Sequence, residues 1–283
     1  MVEARAAAEI LNQALPYIQR FQGHTFVVKY GGSSLADRDA LRGVIRNVLL
    51  LQLVGIRPVL VHGGGPEIDS LLARLGMKSE AVGGLRVTDD ATMEVVEMAL
   101  SKANKAVVGE IHACGGKAVG LSGRDGKVLV AEQVSPELGR VGRVVQVNPG
   151  PIETQCANGY VPVICSVAHG TDGGAMNVNA DSAAAAIAAA LGAQKLFILS
   201  DVDGVLAEKD DPASLISRLT EQEAKAMVEN GKASSGMVPK LQSAFEALEH
   251  GVESVHLLSG SKPNSLLIET FTDEGIGTMI VRG

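Results

Sequence analysis

The sequence contains no tryptophan, and aromatic residues make up only 3% of it. Stacking platforms for nucleic-acid bases are therefore not expected. There is no apolar run of about 18 residues or more, the length needed to span a bilayer, and no segment reads as a signal peptide. Three cysteines, Cys114, Cys156 and Cys165, lie far apart without metal-ligand spacing. They read as reduced thiols of a reducing compartment. The six histidines form no H-E-x-x-H array. Positive charge is in deficit, with 25 Lys and Arg against 32 Asp and Glu and a formal net charge of −7. That balance argues against nucleic acid or an acidic membrane surface as the main partner, so any anion site must be a local arrangement. The common nucleotide signatures are missing too. There is no G-x-x-x-x-G-K-[ST], no H-R-D, and no G-x-G-x-x-G opening a helix after a strand, which disfavours a dinucleotide dehydrogenase.

What remains is a chain of 283 residues, 46% hydrophobic and 20% charged, enough for one large α/β domain or two lobes. Its organising stretch is FVVKYGGSS at 26–34. An apolar strand delivers Lys29, then Gly31 and Gly32. Glycines let backbone N–H groups approach an anion, and a lysine adds a full charge. A strand ending in a tight turn with a surface lysine would look the same. A second stretch of the same design, VLVHGGG at 59–65, shifts the balance. Between them Leu41, Val44, Ile45, Val48, Leu49 and Leu51 recur at helical spacing, making a βαβ unit and hence a parallel sheet. Both glycine loops then emerge at the carboxyl edge, where such sheets bind ligands.

Around this unit the pattern alternates. Residues 4–21 read as an amphipathic helix with Ile10, Leu11, Ala14, Leu15, Ile18 and Phe21 on one face. Pro16 inside it predicts a kink or a break. The apolar face would pack on its own domain or on another subunit. A helix over 66–75 follows the second glycine run, its dipole favouring an anion. GLRVTD then places Arg86 in a loop, as a surface arginine or a carboxylate binder. Helices are expected over 90–100 and 106–113, with Asn104 and Lys105 starting or interrupting the second. Strands are expected near 116–120 and 128–134, a hairpin arm over 139–147, a helix over 149–159 and a strand over 161–167. A second lobe starts near Ala175. Asp181 opens the alanine-rich helix 182–193, as a plain N-cap or as a buried carboxylate that orients lysines. A strand into a turn with Asp201 and Asp203 follows at 195–206, then a capping box at Thr220 and Glu223. A Gly/Ser loop over 231–240 closes on Lys240. A helix over 241–251, a strand over 255–258, a short helix over 266–271 and a final strand over 279–281 complete the chain.

Lys29 and Lys240 beside glycine turns, Asp181 between them and Arg86 in a loop form the set that phosphoryl transfer requires. The transferred group is anionic, so catalysis is mostly positioning and charge neutralisation. If the acceptor is itself a carboxylate, two flanking cations become more useful.

KYGGSS, LVHGGGPEI, GLRVTD, MNVNAD, LSDVDGVL and GMVPK occur in the order and approximate spacing of the amino-acid kinase family. The resemblance covers essentially the whole chain, and GLRVTD with MNVNAD resembles its acetylglutamate branch. It implies an α/β fold, a three-layer αβα sandwich with a mainly parallel open central sheet, preceded by a kinked N-terminal helix. It also implies an oligomerisation helix over 1–24, an acceptor lobe over 25–174 and an ATP lobe over 175–283. The implied reaction is phosphorylation of the γ-carboxylate of N-acetyl-L-glutamate by ATP, with Mg²⁺ carried mainly by the phosphates.

In that reading Lys29 and Lys240 stabilise the transferring group and Asp181 orients both. Gly32 and Gly64 cradle oxygens through their N–H groups. Gly65, Arg86 and Asn177 hold the acylated amino acid, supported by Asn179. Gly31, Asp201, Gly236 and Met237 belong to the nucleotide site. Arginine-sensitive members carry such an N-terminal helix, which interlaces dimers into a hexamer. Tyr17, Glu269 and Gly275 match their arginine site, so feedback inhibition by arginine is expected. Asn264 departs from the histidine of many sensitive enzymes, and Ser34-Leu35 from a frequent Ala-Met. In some photosynthetic organisms a PII signalling protein docks on hexamers of this family, which makes it a candidate partner on which the chain itself is silent. The implied compartment is the cytoplasm, or the plastid stroma for a plant or alga. Rival readings are a sister kinase acting on acetylaminoadipate or aspartate, and a non-catalytic arginine or nucleotide sensor.

Overall fold

Helix α1 (Ala4–Phe21) runs as one element across Pro16, so the expected N-terminal helix is present without a break. The computed structural model describes residues 4–32, 37–208 and 211–283, and side chains from residue 8 onward. Ser33, Ser34 and Leu35, which end the first glycine motif, lie outside the described residues. α1 docks through its C-terminal end. Phe21 is buried against Phe26, with ring centroids 5.3 Å apart. Ile10 and Leu11, by contrast, are 59% and 70% exposed.

Strand β1 (Thr25–Tyr30) pairs in parallel with β2 (Arg57–His62) through the crossover helix α2 (Arg38–Leu53). Asp37 caps α2, its carboxylate accepting from the N–H groups of Asp39 and Ala40. The buried face of α2 carries Leu41, Val44, Ile45, Val48 and Leu51, as its spacing predicts. The sheet grows on both sides of this unit to eight strands. From one edge the order is β12 (Arg218–Thr220), β14 (Thr278–Val281), β13 (Ser254–Ser259), β11 (Lys195–Ser200), β1, β2, β8 (Val161–Cys165) and β5 (Ala118–Ser122). Every neighbouring pair is parallel except β13 with β14.

Alternation along β1 decides the layers. Phe26 and Val28 face a core that includes residues of α2, α4 (Asp90–Ala113) and α9 (Ser265–Phe271). Val27 faces the opposite core, with α5 (Gly150–Ala157), α6 (Ala180–Ala190) and α8 (Val238–Glu249). The result is the expected αβα sandwich. In α6 the side chains of Ala183, Ala184 and Ala188 are fully buried; small residues let α6 lie close to both β1 and α8. Thr220 and Glu223 form the predicted capping box of α7 (Glu221–Glu229).

Four local expectations change. Residues 90–113 form one helix, uninterrupted at Asn104, because that buried amide donates to the Val163 carbonyl at 2.9 Å and loses nothing by lying inside a helix. The stretch expected as the 161–167 strand changes sheets at Ser166, whose carbonyl accepts from the Val178 N–H at 3.1 Å. Beyond it β9 (Val167–Gly170) joins β6 (Leu129–Gln133), β7 (Val141–Val147) and β10 (Ala175–Val178) in a closed four-stranded arrangement. The loop carrying Arg86 is a small hairpin, β3 (Ala81–Val82) and β4 (Leu85–Arg86). Its two turn residues, Gly83 and Gly84, both have positive φ, as a tight two-residue hairpin turn requires. Lys240 lies in the first turn of α8 and not at the end of a loop. Pro239 just before it falls within the opening positions of the helix, where a missing N–H removes no intrahelical bond.

Candidate active site

β1 and β2 end side by side, Lys29 opposite Val61 and Tyr30 opposite His62. Their glycine turns therefore leave the same edge of the sheet. Helix α3 (Gly65–Arg74) starts from the second turn, with Gly64 as its N-cap, so unpaired N–H groups and the positive end of its dipole lie at this edge.

α6 points its own N-terminus at the same place. Its N-cap is Asn179, whose side-chain oxygen accepts from the N–H groups of Asp181 at 2.8 Å and Ser182 at 3.2 Å. The capping role thus falls to Asn179 and leaves the Asp181 carboxylate for other partners. Lys29 Nζ lies 2.8 Å from Asp181 Oδ1, and Lys240 Nζ lies 3.0 Å from Oδ2. Burial pushes the Asp181 carboxyl up, but the two ammonium groups outweigh it and hold it below its ordinary value. The carboxylate is ionised at neutral pH, and the trio carries one net positive charge. Lys240 is carried by α8, which packs on α6 with Ser182 Oγ and Ser243 Oγ 3.3 Å apart. Two rigid helices and one central strand set the three charges.

A cleft of about 220 Å³ opens over Lys29 and Asp181, and Lys240 stands behind it, bonded to Asp181 without lining the cleft. It is lined by Lys29, Gly31, Gly32, Gly64, Gly65, Arg86, Asn177, Asn179 and Asp181, together with Ser166 and Leu100. All the sequence-derived acceptor residues meet here. Arg86 Nη1 pairs with Asp69 of α3 at 2.5 Å and with the Ser79 hydroxyl, while Nη2 lies 3.4 Å from the Gly65 carbonyl. The hydrogen bond from Arg86 holds the Asp69 carboxyl below its usual range. Behind the second glycine turn, His62 is buried with Nδ1 2.7 Å from the Gly63 carbonyl. Burial lowers its pKa to about 4.

A second cavity of about 330 Å³ is lined by Asp201, Val202, Asp203, Gly204, Val205, Leu206, Pro212, Lys232, Ala233, Ser234 and Met237. Asp201 and Met237, assigned to nucleotide from the sequence, fall here. Gly31 falls in the first cleft, and Gly236 precedes Met237 without lining either cavity. Gly32 joins the two regions. It has φ of +80°, and a Cβ added there would lie 3.3 Å from the Asp201 carboxylate oxygens. Among the described residues no three His, Cys, Asp or Glu side chains gather as metal ligands. No described helix is long and apolar enough to cross a membrane.

Tyr17, Glu269 and Gly275 also come together, away from the cleft. The Tyr17 hydroxyl donates to Asp273 at 2.6 Å. Glu269 Oε2 accepts from the Ile276 N–H at 3.0 Å, beside Gly275, and Oε1 lies 2.7 Å from His256 Nδ1. Lys195 Nζ lies 2.9 Å from His256 Nε2, and burial lowers its pKa to about 8. Asn264 stands elsewhere, at the start of α9, its oxygen accepting from Asn47 at 3.2 Å.

Sequence reasoning passed over Asp69, Thr88, Lys195 and His256. The last two carried a signal, a lysine and a histidine on strands whose remaining residues are apolar apart from serines at their ends. Asp69 carried none, since its meeting with Arg86 depends on how the hairpin folds back.

Residues 24–259 match the model of the amino acid kinase family. The acetylglutamate kinase of Caldanaerobacter subterraneus subsp. tengcongensis is 51% identical over 96% of this chain and 92% of its own. That of Methanocaldococcus jannaschii is 47% identical over 100% of this chain and 98% of its own. Among solved structures, N-acetylglutamate synthase from Neisseria gonorrhoeae, complexed with coenzyme A and N-acetyl-glutamate, superposes with a TM-score of 0.87 at 28% identity. That match covers 98% of this chain and 63% of the synthase. The same synthase complexed with coenzyme A and L-arginine gives a TM-score of 0.84, also at 28% identity, covering 98% of this chain and 65% of the synthase.

Proposed function

The chain belongs to the amino-acid kinase family, and we propose that it transfers the γ-phosphoryl group of ATP to the γ-carboxylate of N-acetyl-L-glutamate, making N-acetylglutamyl 5-phosphate for arginine biosynthesis. The observation that carries this reading is the Lys29–Asp181–Lys240 trio beneath the glycine turns. Relatives that are acetylglutamate kinases at 47 to 51% identity support the choice of acceptor.

In the reaction a carboxylate oxygen of the acceptor attacks the γ-phosphorus, and the bond to the bridging oxygen breaks with its electrons passing to ADP. No proton need move. The chain's task is to bring two anions together. Arg86 takes the α-carboxylate of the acceptor with Asn177 and Gly65 around it, and the glycine turns offer N–H groups to the transferring oxygens. Lys29 and Lys240 flank the transferring group, and Asp181 keeps the two ammonium groups apart and aimed. The cavity at Asp201 and Met237 takes the nucleotide, and Mg²⁺ bound with it would neutralise part of the phosphate charge. Residues 25–174 then serve as the acceptor lobe and 175–283 as the ATP lobe.

Trapping the acyl phosphate with hydroxylamine tests the reading, using ATP, Mg²⁺ and N-acetylglutamate beside N-acetylaminoadipate and aspartate. Hydroxamate from N-acetylglutamate alone is the expected result. Hydroxamate from another acceptor would move the chain to a sister branch, and none from any acceptor would leave a sensor.

Arginine is the proposed inhibitor, bound where Tyr17, Glu269 and Gly275 converge. The clustering of these residues supports the site, as does the arginine complex of the synthase. The exposed Ile10, Leu11 and Leu15 on α1 support packing of that helix on another subunit in a hexamer of interlaced dimers. Loss of hydroxamate on adding arginine, and a hexamer in sedimentation, are the expected results. Undiminished activity, or a plain dimer, would remove each in turn.

A further inference from the structure

Thr88 sits between the two residues assigned to the acceptor, and all of its hydrogen-bonding groups are used. Its N–H donates to the Leu138 carbonyl at 3.0 Å, and its carbonyl accepts from the Arg140 N–H at 2.5 Å. Its hydroxyl lies 2.7 Å from the Arg86 carbonyl and 3.2 Å from Asn177 Nδ2. The residue is 0% exposed, so no solvent can replace a lost partner.

Polarity runs one way through these contacts. The Arg86 carbonyl can only accept, so the Thr88 hydroxyl must donate its single hydrogen there. Oγ1 can then only accept from Asn177, which must present its NH₂ end. Thr88 therefore fixes which way the Asn177 amide is turned, a choice the heavy-atom positions of an amide do not settle by themselves. It also links the backbone of Arg86, which carries the guanidinium, to the side chain of Asn177, which lies 89 positions beyond Thr88 in the chain. Asn177 is held a second time by its backbone N–H, which donates to the Arg140 carbonyl at 2.8 Å. Only the amide orientation is left to Thr88.

We infer that Thr88 is a positioning residue for the acceptor: its hydroxyl sets the orientation of the Asn177 amide and its register with Arg86, so that both meet one N-acylated amino acid. The inference rests on the assignment of this cleft to N-acetylglutamate.

Thr88→Val keeps the shape and both backbone hydrogen bonds and removes only the hydroxyl. Thr88→Ser restores the hydroxyl and removes a methyl group. In the full-length chain, Thr88→Val is expected to raise KM for N-acetylglutamate about tenfold, with KM for ATP within about twofold of the parent. Thr88→Ser is expected to fall within about threefold of the parent on both. Direct binding of N-acetylglutamate, followed by calorimetry, should weaken in the same order. An unchanged KM for N-acetylglutamate in Thr88→Val would overturn the inference. So would an equal rise in both KM values with a lowered melting temperature, the mark of a merely structural role. A parent that binds N-acetylglutamate but forms no acyl phosphate would sink the kinase reading and leave the Thr88 test standing on binding. A parent that does neither would overturn both.

Discussion

His62 Nε2 lies 3.1 Å from the amide nitrogen of Asn104, in a buried contact directly behind the second glycine turn. The Gly63 carbonyl 2.7 Å from Nδ1 can only accept, so Nδ1 holds the proton and Nε2 receives the Asn104 hydrogen. The ring is neutral, and it pins the carbonyl from which the turn departs.

That neutrality has a pH consequence. Unfolded His62 titrates near 6.5, whereas burial lowers the folded value to about 4. Above 6.5 neither state is protonated and the group has no effect. As pH falls below 6.5 the unfolded chain takes up a proton that the fold refuses, and stability declines by up to about 3 kcal/mol by pH 4. His62→Gln, which does not titrate, should show a flatter fall in melting temperature over that window. An equally steep fall would mean that other groups drive the acid sensitivity.

The shared carboxylate makes the lysines interdependent. Lys29→Ala and Lys240→Ala should each cost roughly 2–4 kcal/mol of transition-state stabilisation, by analogy with removal of one electrostatic donor. Asp181→Asn should lower kcat comparably and also lower stability by about 3 kcal/mol, since it leaves two buried or half-buried cations unpaired. Stopped-time hydroxamate assays and denaturant melts read the two effects. Near-parental turnover in both lysine variants would remove them from the chemistry.

Asp69 is more exposed than the guanidinium it holds, so its contribution should be modest. Asp69→Ala is expected to raise KM for N-acetylglutamate severalfold, roughly 0.5–1 kcal/mol, and less at high salt. A lowered KM would mean that Asp69 competes with the acceptor for Arg86 and does not position it.

Gly120 of β5 has no room for a side chain. A Cβ there would fall 1.9 Å from Asn104 Oδ1 and 3.0 Å from Lys105 Nζ. Gly120→Ala should therefore displace Asn104 and cost about 1–3 kcal/mol. A melting temperature equal to that of the parent would show that Asn104 is free to move.

The layers and the central βαβ unit were legible because period-2 and period-3.6 patterns of Val, Ile and Leu survive wherever a face is buried. The glycine turns and Lys29 were legible for the same reason, each following a readable strand. Asn104 misled, because a buried amide inside a helix looks like a break until its partners on β2 and β8 are known. Lys240 reads as the end of a loop because the Gly and Ser residues before it hide the start of α8. The small closed sheet was not legible, since its pairing of β6 with β9 and β7 with β10 joins segments whose local patterns do not specify each other. Thr88 carries no signal of its own within GLRVTD, since its role depends on Leu138, Arg140 and Asn177, partners that only the fold supplies.

The position of β1 bears on how the protein comes into being. β1 occupies the middle of the sheet, with β2 on one side and, on the other, β11, where Phe26 faces Lys195. On the ribosome β1 and β2 can meet early, but the far edge of β1 stays open until β11 has been synthesised. Such an unpaired apolar edge invites association with other chains, and distant pairing slows folding. Lys240 is synthesised later still, so the Asp181 carboxylate, already paired in the fold with Lys29 of this central strand, gains its second lysine only from a helix made after β11.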